Sequence, residues 1–209
     1  MSDRLTLTTP RVRLRPWRDE DLDSLVGLNA DPRVMEHFPA PLTRAESEAM
    51  LARLRAHFER HGFGFWAAEA RGDGAGAAQW IGLVGLAVPT IEAHFTPCVE
   101  IGWRLLPQWW GRGFATEAAR AALAFGFETL GLGEVVAYTA LPNERSRRVM
   151  ERIGMTRAEA DDFDHPMAPE GHRLRRCVLY RLSRAQWDGR RGKSAQTPSP
   201  LVDSEPPGL

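Results

Sequence analysis

The sequence predicts an α+β fold, a mixed and mostly antiparallel central sheet with helices on both faces. Three observations lead there. Several short strand-like segments follow one another through turns, as antiparallel strands do. One strand-like run, Val99 to Leu105, passes through a glycine-bearing loop into a helical run from Phe114 to Leu130, then into a further strand, Glu134 to Leu141. Amphipathic helical segments lie both before and after the early strands, so both faces of the sheet find cover.

From the N-terminus, Leu5, Leu7, Val12 and Leu14 mark a half-buried strand over Leu5 to Arg15, broken by Thr9-Pro10. Asp19 or Asp21 is placed to cap a helix that carries Leu22, Leu25 and Val26 on one face. Asp31-Pro32 breaks the chain. Thr43 and Glu46 form a capping-box pair, and Ser47, Leu51, Leu54 and Phe58 keep helical spacing to about His61. Gly62-Phe63-Gly64 opens a strand from Phe65 to Ala70, the turn-rich Gly72 to Gly76 suggests a hairpin, and strands follow at Trp80–Val88 and Cys98–Leu106.

The helix from Phe114 shows Ala118, Ala121 and Phe125 on one face and ends at Gly131 and Gly133. After the strand at Glu134, Ser146, Val149, Met150 and Ile153 form the stripe of a short helix closed by Gly154. Final strands are expected near 155–160 and 172–182, separated by an irregular loop, Asp161 to Pro166. From Gly189 the chain is charged and proline-rich, cannot bury much apolar surface, and is expected to be disordered. The expected organisation is one domain over residues 1–188 and a tail over 189–209.

Composition sets outer limits. With 209 residues, 43% of them apolar, the chain can bury a sizeable core in one domain. The formal charge is zero, so no basic surplus points to nucleic acid or an anionic membrane. No stretch approaches the roughly eighteen apolar residues of a membrane span, and Met1-Ser2-Asp3-Arg4 is not followed by a secretory signal. A cytoplasmic protein, monomer or homodimer, is expected. Cys98 and Cys177 have no metal-ligand spacing; a disulfide between them is open in principle, but two buried thiols are the favoured reading. No His/Cys/Asp cluster has metal spacing, so no metal is expected.

The most informative stretch is Gln108-Trp109-Trp110-Gly111-Arg112-Gly113. A strand, a glycine-bearing loop and a helix start form an anion site. Glycines admit a close ligand, and the first helical N–H groups and the helix dipole point at it. Gly113 is followed by Phe114-Ala115, not Lys and Ser/Thr, so this is no P-loop. Thr116 stands where a dinucleotide fingerprint needs its third glycine.

What remains, Gln-x-x-Gly-x-Gly, resembles the acetyl-coenzyme A loop of the GNAT N-acetyltransferase superfamily. Pro107 before it and Phe114-Ala115-Thr116-Glu117-Ala118 after it resemble the branch that acetylates ribosomal-protein N-termini at serine or alanine. So do Asn143-Glu144-Arg145-Ser146 with the helix ending in Gly154-Met155, the N-terminal Leu14-Arg15-Pro16-Trp17 with Glu20-Asp21-Leu22, and the ending Val178 to Leu182. The resemblance spans roughly residues 4–187 in consistent order. It implies the GNAT fold, whose central parallel strands splay apart and hold coenzyme A, and acetyl-coenzyme A as co-substrate with an amine as acceptor.

Acetyl transfer needs a polarised thioester carbonyl, a free amine and a proton for the departing thiolate. Glu100, in a Glu-Ile-x-aromatic pattern like the base-bearing strand of the superfamily's histone acetyltransferases, is the candidate base, acting through water. Otherwise it is a strand carboxylate that pairs with an arginine or orients a neighbour. Gly102 in the strand suggests a bulge or close backbone approach; in the family a bulge here frees an N–H for the thioester oxygen. Ser146 resembles the residue that protonates the thiolate in the branch, and Asn143 a ligand of the pantetheine arm. The bland readings are a small polar residue on a packed face and a helix N-cap. The tyrosine that serves as acid in many GNAT enzymes has no counterpart near this helix, since Tyr138 and Tyr180 are the only tyrosines.

The cofactor is expected along Trp103, Arg104, Leu105, Gln108, Trp109, Trp110, Gly111, Arg112, Gly113, Phe114 and Ala115, with Asn143 and Ser146. At Trp109 and Trp110 the backbone N–H groups, rather than the rings, are the expected contacts. For the acceptor, the resemblance points to the regions of His37 and His165. Phe38, Trp66 and Trp103 are candidate walls, with burial in the core as the alternative.

The function read from this is transfer of an acetyl group from acetyl-coenzyme A, by direct attack, to a primary amine. The acceptor is a protein N-terminus or a small molecule. The alternative is a catalytically weak acyl-coenzyme A binding or sensor module.

Overall fold

A computed structural model describes residues 5–72 and 78–195. Nine strands form one sheet: β1 (Leu7–Thr8), β2 (Val12–Arg15), β3 (Phe65–Ala70), β4 (Gln79–Ala87), β5 (Glu100–Leu105), β6 (Glu134–Ala140), β7 (Thr156–Arg157), β8 (Phe163–Asp164) and β9 (Arg176–Ser183). Their order is β1-β2-β3-β4-β5-β6-β9-β7, with β8 also on β9. All neighbours run antiparallel except β5 and β6. The expected α+β class and mixed sheet are what the chain adopts. The hairpin between β3 and β4 also forms, although most of its turn lies outside the described residues.

The helices are α1 (Leu22–Ala30), α2 (Arg44–His61), α3 (Phe114–Ala124), α4 (Glu144–Ile153) and α5 (Arg184–Ala195). α1 and α2 cover one face through a core of Trp17, Leu25, Leu28, Leu51, Leu54, Ala67 and Leu83. α3 and α4 cover the other, where Trp66, Leu86, Ile101, Ala118, Ala122, Phe127, Met150 and Ile153 pack together. The capping box forms as the sequence predicts: Glu46 N–H donates to Thr43 Oγ1, and the Glu46 carboxylate accepts from Thr43 N–H at 2.7 Å.

Asp21 departs from its expected role. It stands at the N-cap of α1 without a side-chain cap, because Arg15 claims its carboxylate, Nη1 and Nη2 each donating at 2.7 Å. Arg15 Nε donates to Glu69 at 2.6 Å, so three charges are buried as one hydrogen-bonded set. Burial of ions requires such mutual pairing.

Four further elements differ from expectation. β8 lies inside the loop expected to be irregular, and β9 begins at Arg176 rather than 172. α3 continues into a π-helical turn, Phe125–Thr129, where Leu130 N–H reaches back five residues to Phe125. The expected boundary at 188 falls inside α5, whose start is fixed by Ser183 and Gln186. Gln186 N–H donates to Ser183 Oγ at 3.2 Å and Ser183 N–H to Gln186 Oε1 at 2.8 Å. Trp187 then stacks on Phe127, ring centroids 5.4 Å apart. Residues 196–209, the rest of the expected tail, lie outside the described residues.

Candidate active site

β5 and β6 meet at one parallel bridge, Glu100 opposite Val136, where Val136 N–H donates to Val99 O at 3.0 Å. Beyond it the two strands part. Alternate residues of a strand aim their backbone groups at alternate edges. Val99 O faces β6 and Leu106 N–H faces β4, bonding Ile81 O at 2.9 Å. The N–H groups of Trp103 and Leu105 therefore face the gap. Trp110 Nε1 donates to Leu105 O at 2.8 Å and closes one of the open carbonyls.

Gly102 contains no bulge. The β4–β5 register runs unbroken from Gly82 opposite Leu105 to Ala87 opposite Glu100. The irregularity lies one pair over, between β3 and β4 at Ala68/Glu69. The free N–H that a bulge was expected to supply is instead supplied by the splay. The close approach is present: a Cβ on Gly102 would lie 3.0 Å from the Phe65 ring.

The loop after β5 carries the chain into α3 through Gly111 and Gly113, both left-handed at φ +70° and +83°. Gly113 caps α3, accepting from Glu117 N–H at 3.0 Å. Arg11 holds the loop from outside, Nη1 donating to Arg112 O at 3.0 Å and Nε to Glu117 at 2.6 Å. On the other strand, Asn143 starts α4. Its Oδ1 accepts from Ser146 N–H at 3.2 Å and its Nδ2 donates to Thr139 Oγ1 at 2.9 Å. Asn143 is therefore the helix N-cap as well as a wall residue. Two helix N-termini, each with orphan N–H groups and partial positive charge, open on one gap.

The gap continues into a cavity of about 630 Å³. Glu100, Trp103, Arg104, Leu105, Trp109, Trp110, Gly111, Gly113, Phe114, Ala115, Asn143, Ser146, His37 and Phe38 all line it, as the sequence reading proposed. Four proposed residues do not. Gln108 is exposed on the far side of its turn, and Arg112 stacks outward on Trp109 and Phe114 at 4.7 and 5.4 Å. Trp66 is wholly buried, edge-on to Phe58 and Phe125, with Nε1 donating to Leu5 O at 2.6 Å. It belongs to the core because that strand position faces α3. His165 packs beside Tyr138 and Phe163 behind the wall, ring centroids 6.2 and 6.3 Å away.

Glu100 is the carboxyl group that lines the cavity. Burial pushes its carboxyl up to about 7, while a hydrogen bond from Tyr138 pulls the other way. Tyr138 is itself held far above its ordinary value, by burial first and then by the Glu100 charge, so it donates. Its ring is fixed among Phe95 and Phe163, centroids 5.8 and 5.6 Å off. The sequence reading found no acid tyrosine near α4 and gave Tyr138 no role. Its position on β6, directly across from β5, is a fact of pairing that no local pattern announces.

Arg104 leaves the same face of β5 as Glu100 and stacks under Phe38, 4.1 Å from guanidinium carbon to ring centroid. Its Nη1 donates at 2.6 Å to Oδ1 of Asn29, a wholly buried residue that Ser47 also holds. Burial lowers its pKa to about 10. His37 is likewise pushed toward its neutral form by burial, and its Nδ1 is buried without a hydrogen-bond partner among the described residues. Val34, Met50, Phe65 and Leu83 add an apolar wall, with Arg33, Arg145 and Arg148 at the rim. None of these had a distinguishing sequence signal, since each reads as ordinary core or surface.

Known proteins resemble this chain in sequence and fold. Residues 11–156 match the family described as acetyltransferase (GNAT) domain. The FsC-acetyl coenzyme A-N(2)-transacetylase of Aspergillus fumigatus is 35% identical over 195 residues, 87% of this chain and 77% of that protein. The putative ribosomal N-acetyltransferase YdaF of Bacillus subtilis is 35% identical over 91 residues, 43% of this chain and 48% of its own. The crystal structure of the acetyltransferase from Agrobacterium tumefaciens superposes with a TM-score of 0.66 at 29% identity, covering 85% of this chain and 93% of that one.

Proposed function

We infer the finer function from one premise: the chain belongs to the GNAT acetyltransferase family, and is an acetyl-coenzyme A-dependent N-acetyltransferase. The acetyl group passes directly from the thioester to a primary amine, of a protein N-terminus or a small molecule, lying against Glu100. The observation that carries this reading is the junction of three features in one cavity. These are a strand gap with open backbone N–H groups, a left-handed glycine loop at a helix N-terminus, and a carboxyl that titrates near neutrality.

In this reading the glycine loop and the start of α3 take the pyrophosphate. The pantetheine arm lies along the open edge of β5, where Leu105 offers its N–H to an amide of the arm, and Asn143 flanks it. Glu100, through a water, takes the proton of the ammonium group, because an alkylammonium has no lone pair to attack with. The freed amine bonds to the carbonyl carbon while negative charge moves to its oxygen, which the Trp103 N–H stabilises. Collapse breaks the carbon–sulfur bond, the thiolate takes a proton from Ser146, and the serine is reprotonated by the second proton that the nitrogen sheds as it becomes an amide. A base with a pKa near the working pH is the efficient choice for the first step.

A non-catalytic acyl-coenzyme A sensor has no use for a buried carboxyl tuned this way, and burying it costs stability. Mixing the protein with acetyl-coenzyme A and a panel of amines, and reading free thiol, tests the function. Thiol release that rises with one class of amine is the expected result. Tight cofactor binding with no amine-dependent release would make the protein a sensor.

A further inference from the structure

A buried guanidinium is normally paired with a carboxylate, as Arg15 is here with Asp21 and Glu69. Arg104 breaks this pattern. Arg104 is half-buried, and among the described residues no carboxylate stands within ion-pair distance of it, whereas the deeper Arg15 and the half-buried Arg157 each have one. Its one hydrogen bond goes to the neutral amide of Asn29, and its Nε is buried with no partner. The other arginines of the cavity are either satisfied or solvated. Arg33 forks onto Asp31 and Arg148 pairs with Glu144. Arg145 lies over Trp110 and 4.0 Å from Glu36, and Arg152 is exposed.

The position of this charge matters. Glu100 and Arg104 lie on one face of β5 with Gly102, which has no side chain, between them. Strand rise sets their Cα atoms about 13 Å apart. Once both side chains reach into the cavity, room is left for a water, an amine and an anionic group in series. The walls around that span are apolar: Val34, Phe38, Met50, Phe65 and Leu83.

We infer that the acceptor is an amino acid with an apolar side chain, whose carboxylate is held by the Arg104 guanidinium while its amine faces Glu100. This rests on the transferase reading given above and narrows it to a substrate class. A guanidinium donates from a rigid fork that matches a carboxylate edge. Nη1 is fixed on Asn29, and the stack on Phe38 fixes the plane, so the fork is held in place before the ligand arrives. An incoming carboxylate supplies the counter-charge that the fold withholds, and neutralisation of the pair offsets the cost of keeping the cation away from water.

The test uses substrates that differ in the charge of one group: L-methionine with L-methioninamide, and L-phenylalanine with L-phenylalaninamide. Each is run at saturating acetyl-coenzyme A, with rates referred to the free-amine concentration. The acids should be preferred by about 10- to 100-fold in kcat/KM, mostly through KM, which is the usual worth of a charge-assisted hydrogen bond. Arg104→Gln should collapse the ratio toward one, and Arg104→Lys should retain part of it. The thermal shift with acetyl-coenzyme A reports whether each variant is folded, and the wild-type ratio needs no variant at all. Acids and amides turned over alike, or a preference that survives in Arg104→Gln, overturns the inference and leaves the transferase reading intact. No thiol release with any amine overturns both.

Discussion

Tyr138 lines the cavity beside Glu100, next to the one rung, Glu100 opposite Val136, that joins β5 to β6, and its protonated phenol favours the Glu100 carboxylate. Two opposed effects therefore set one ionisation. Burial raises the Glu100 pKa and the tyrosine lowers it, leaving it at about 7. A base acts when deprotonated, so kcat/KM should rise with pH through about 7 and then level. Glu100→Gln should remove that limb. Tyr138→Phe deletes only the stabilising bond, so the midpoint should move upward by about one unit. A pH–rate profile of the three proteins decides it. An unchanged profile in Glu100→Gln would mean that the amine loses its proton to solvent.

Ser146→Ala should lower kcat by about tenfold to a thousandfold, because water can replace a lost proton donor only in part. Cofactor Kd should stay close to wild type, since a donor to the departing thiolate acts in the transition state. Single-turnover rates and equilibrium titration separate the two. Equal kcat would return Ser146 to a small polar residue in the first turn of α4.

Gly113→Val should abolish the rise in melting temperature that acetyl-coenzyme A produces by mass action. At φ +83° a β-branched residue is strained by about 1–2 kcal/mol or more, and its Cβ would come within 3.2 Å of Arg11 Nη2. The loop would then turn its N–H groups elsewhere. A normal shift in a folded variant would show that the phosphates are held elsewhere.

His57 gives the fold its own acid sensitivity. Its Nδ1 donates to Phe63 O at 2.8 Å and its Nε2 accepts from Val88 N–H at 3.0 Å, an arrangement open only to the neutral ring. Burial, with His61 and Arg60 nearby, lowers its pKa, while the Phe63 bond opposes this. A depressed folded-state value means the stabilisation is complete above the unfolded value of about 6.5. It is lost as pH falls below that value toward the folded one. Thermal melts of wild type and His57→Gln between pH 7.5 and 5 should show the steeper decline in the wild type. Parallel declines would assign the acid effect to other groups.

The features readable in advance were those written locally. The capping box at Thr43, the glycine loop that leads into α3 and the N-cap alternative for Asn143 each depend on a few adjacent residues, and each is present in the fold. What depended on pairing was not legible. Trp66 and Phe65 are neighbours on one strand, yet one lies in the core and the other lines the cavity, because successive side chains point to opposite faces. Tyr138 gained its place beside Glu100 only through strand order. Asp21 does not cap α1 because its carboxylate is taken by Arg15 and by the Arg18 N–H, both outside that helix. The start of α5 was legible, since Ser183 and Gln186 form a capping pair, but the glycines and charges that follow obscured it.

The single bridge at Glu100 and Val136 divides the sheet into a block of five strands and a block of four. They meet like the legs of a pair of compasses. When the legs open or close by a small angle, the far ends sweep the largest arc and the pivot stays still. Glu100 stands at that pivot, whereas the glycine loop and the start of α4 ride at the ends of the two legs. The place of the carboxylate is therefore fixed where the two blocks touch, and the width available to a long ligand is set farther along, by how far the two ends stand apart.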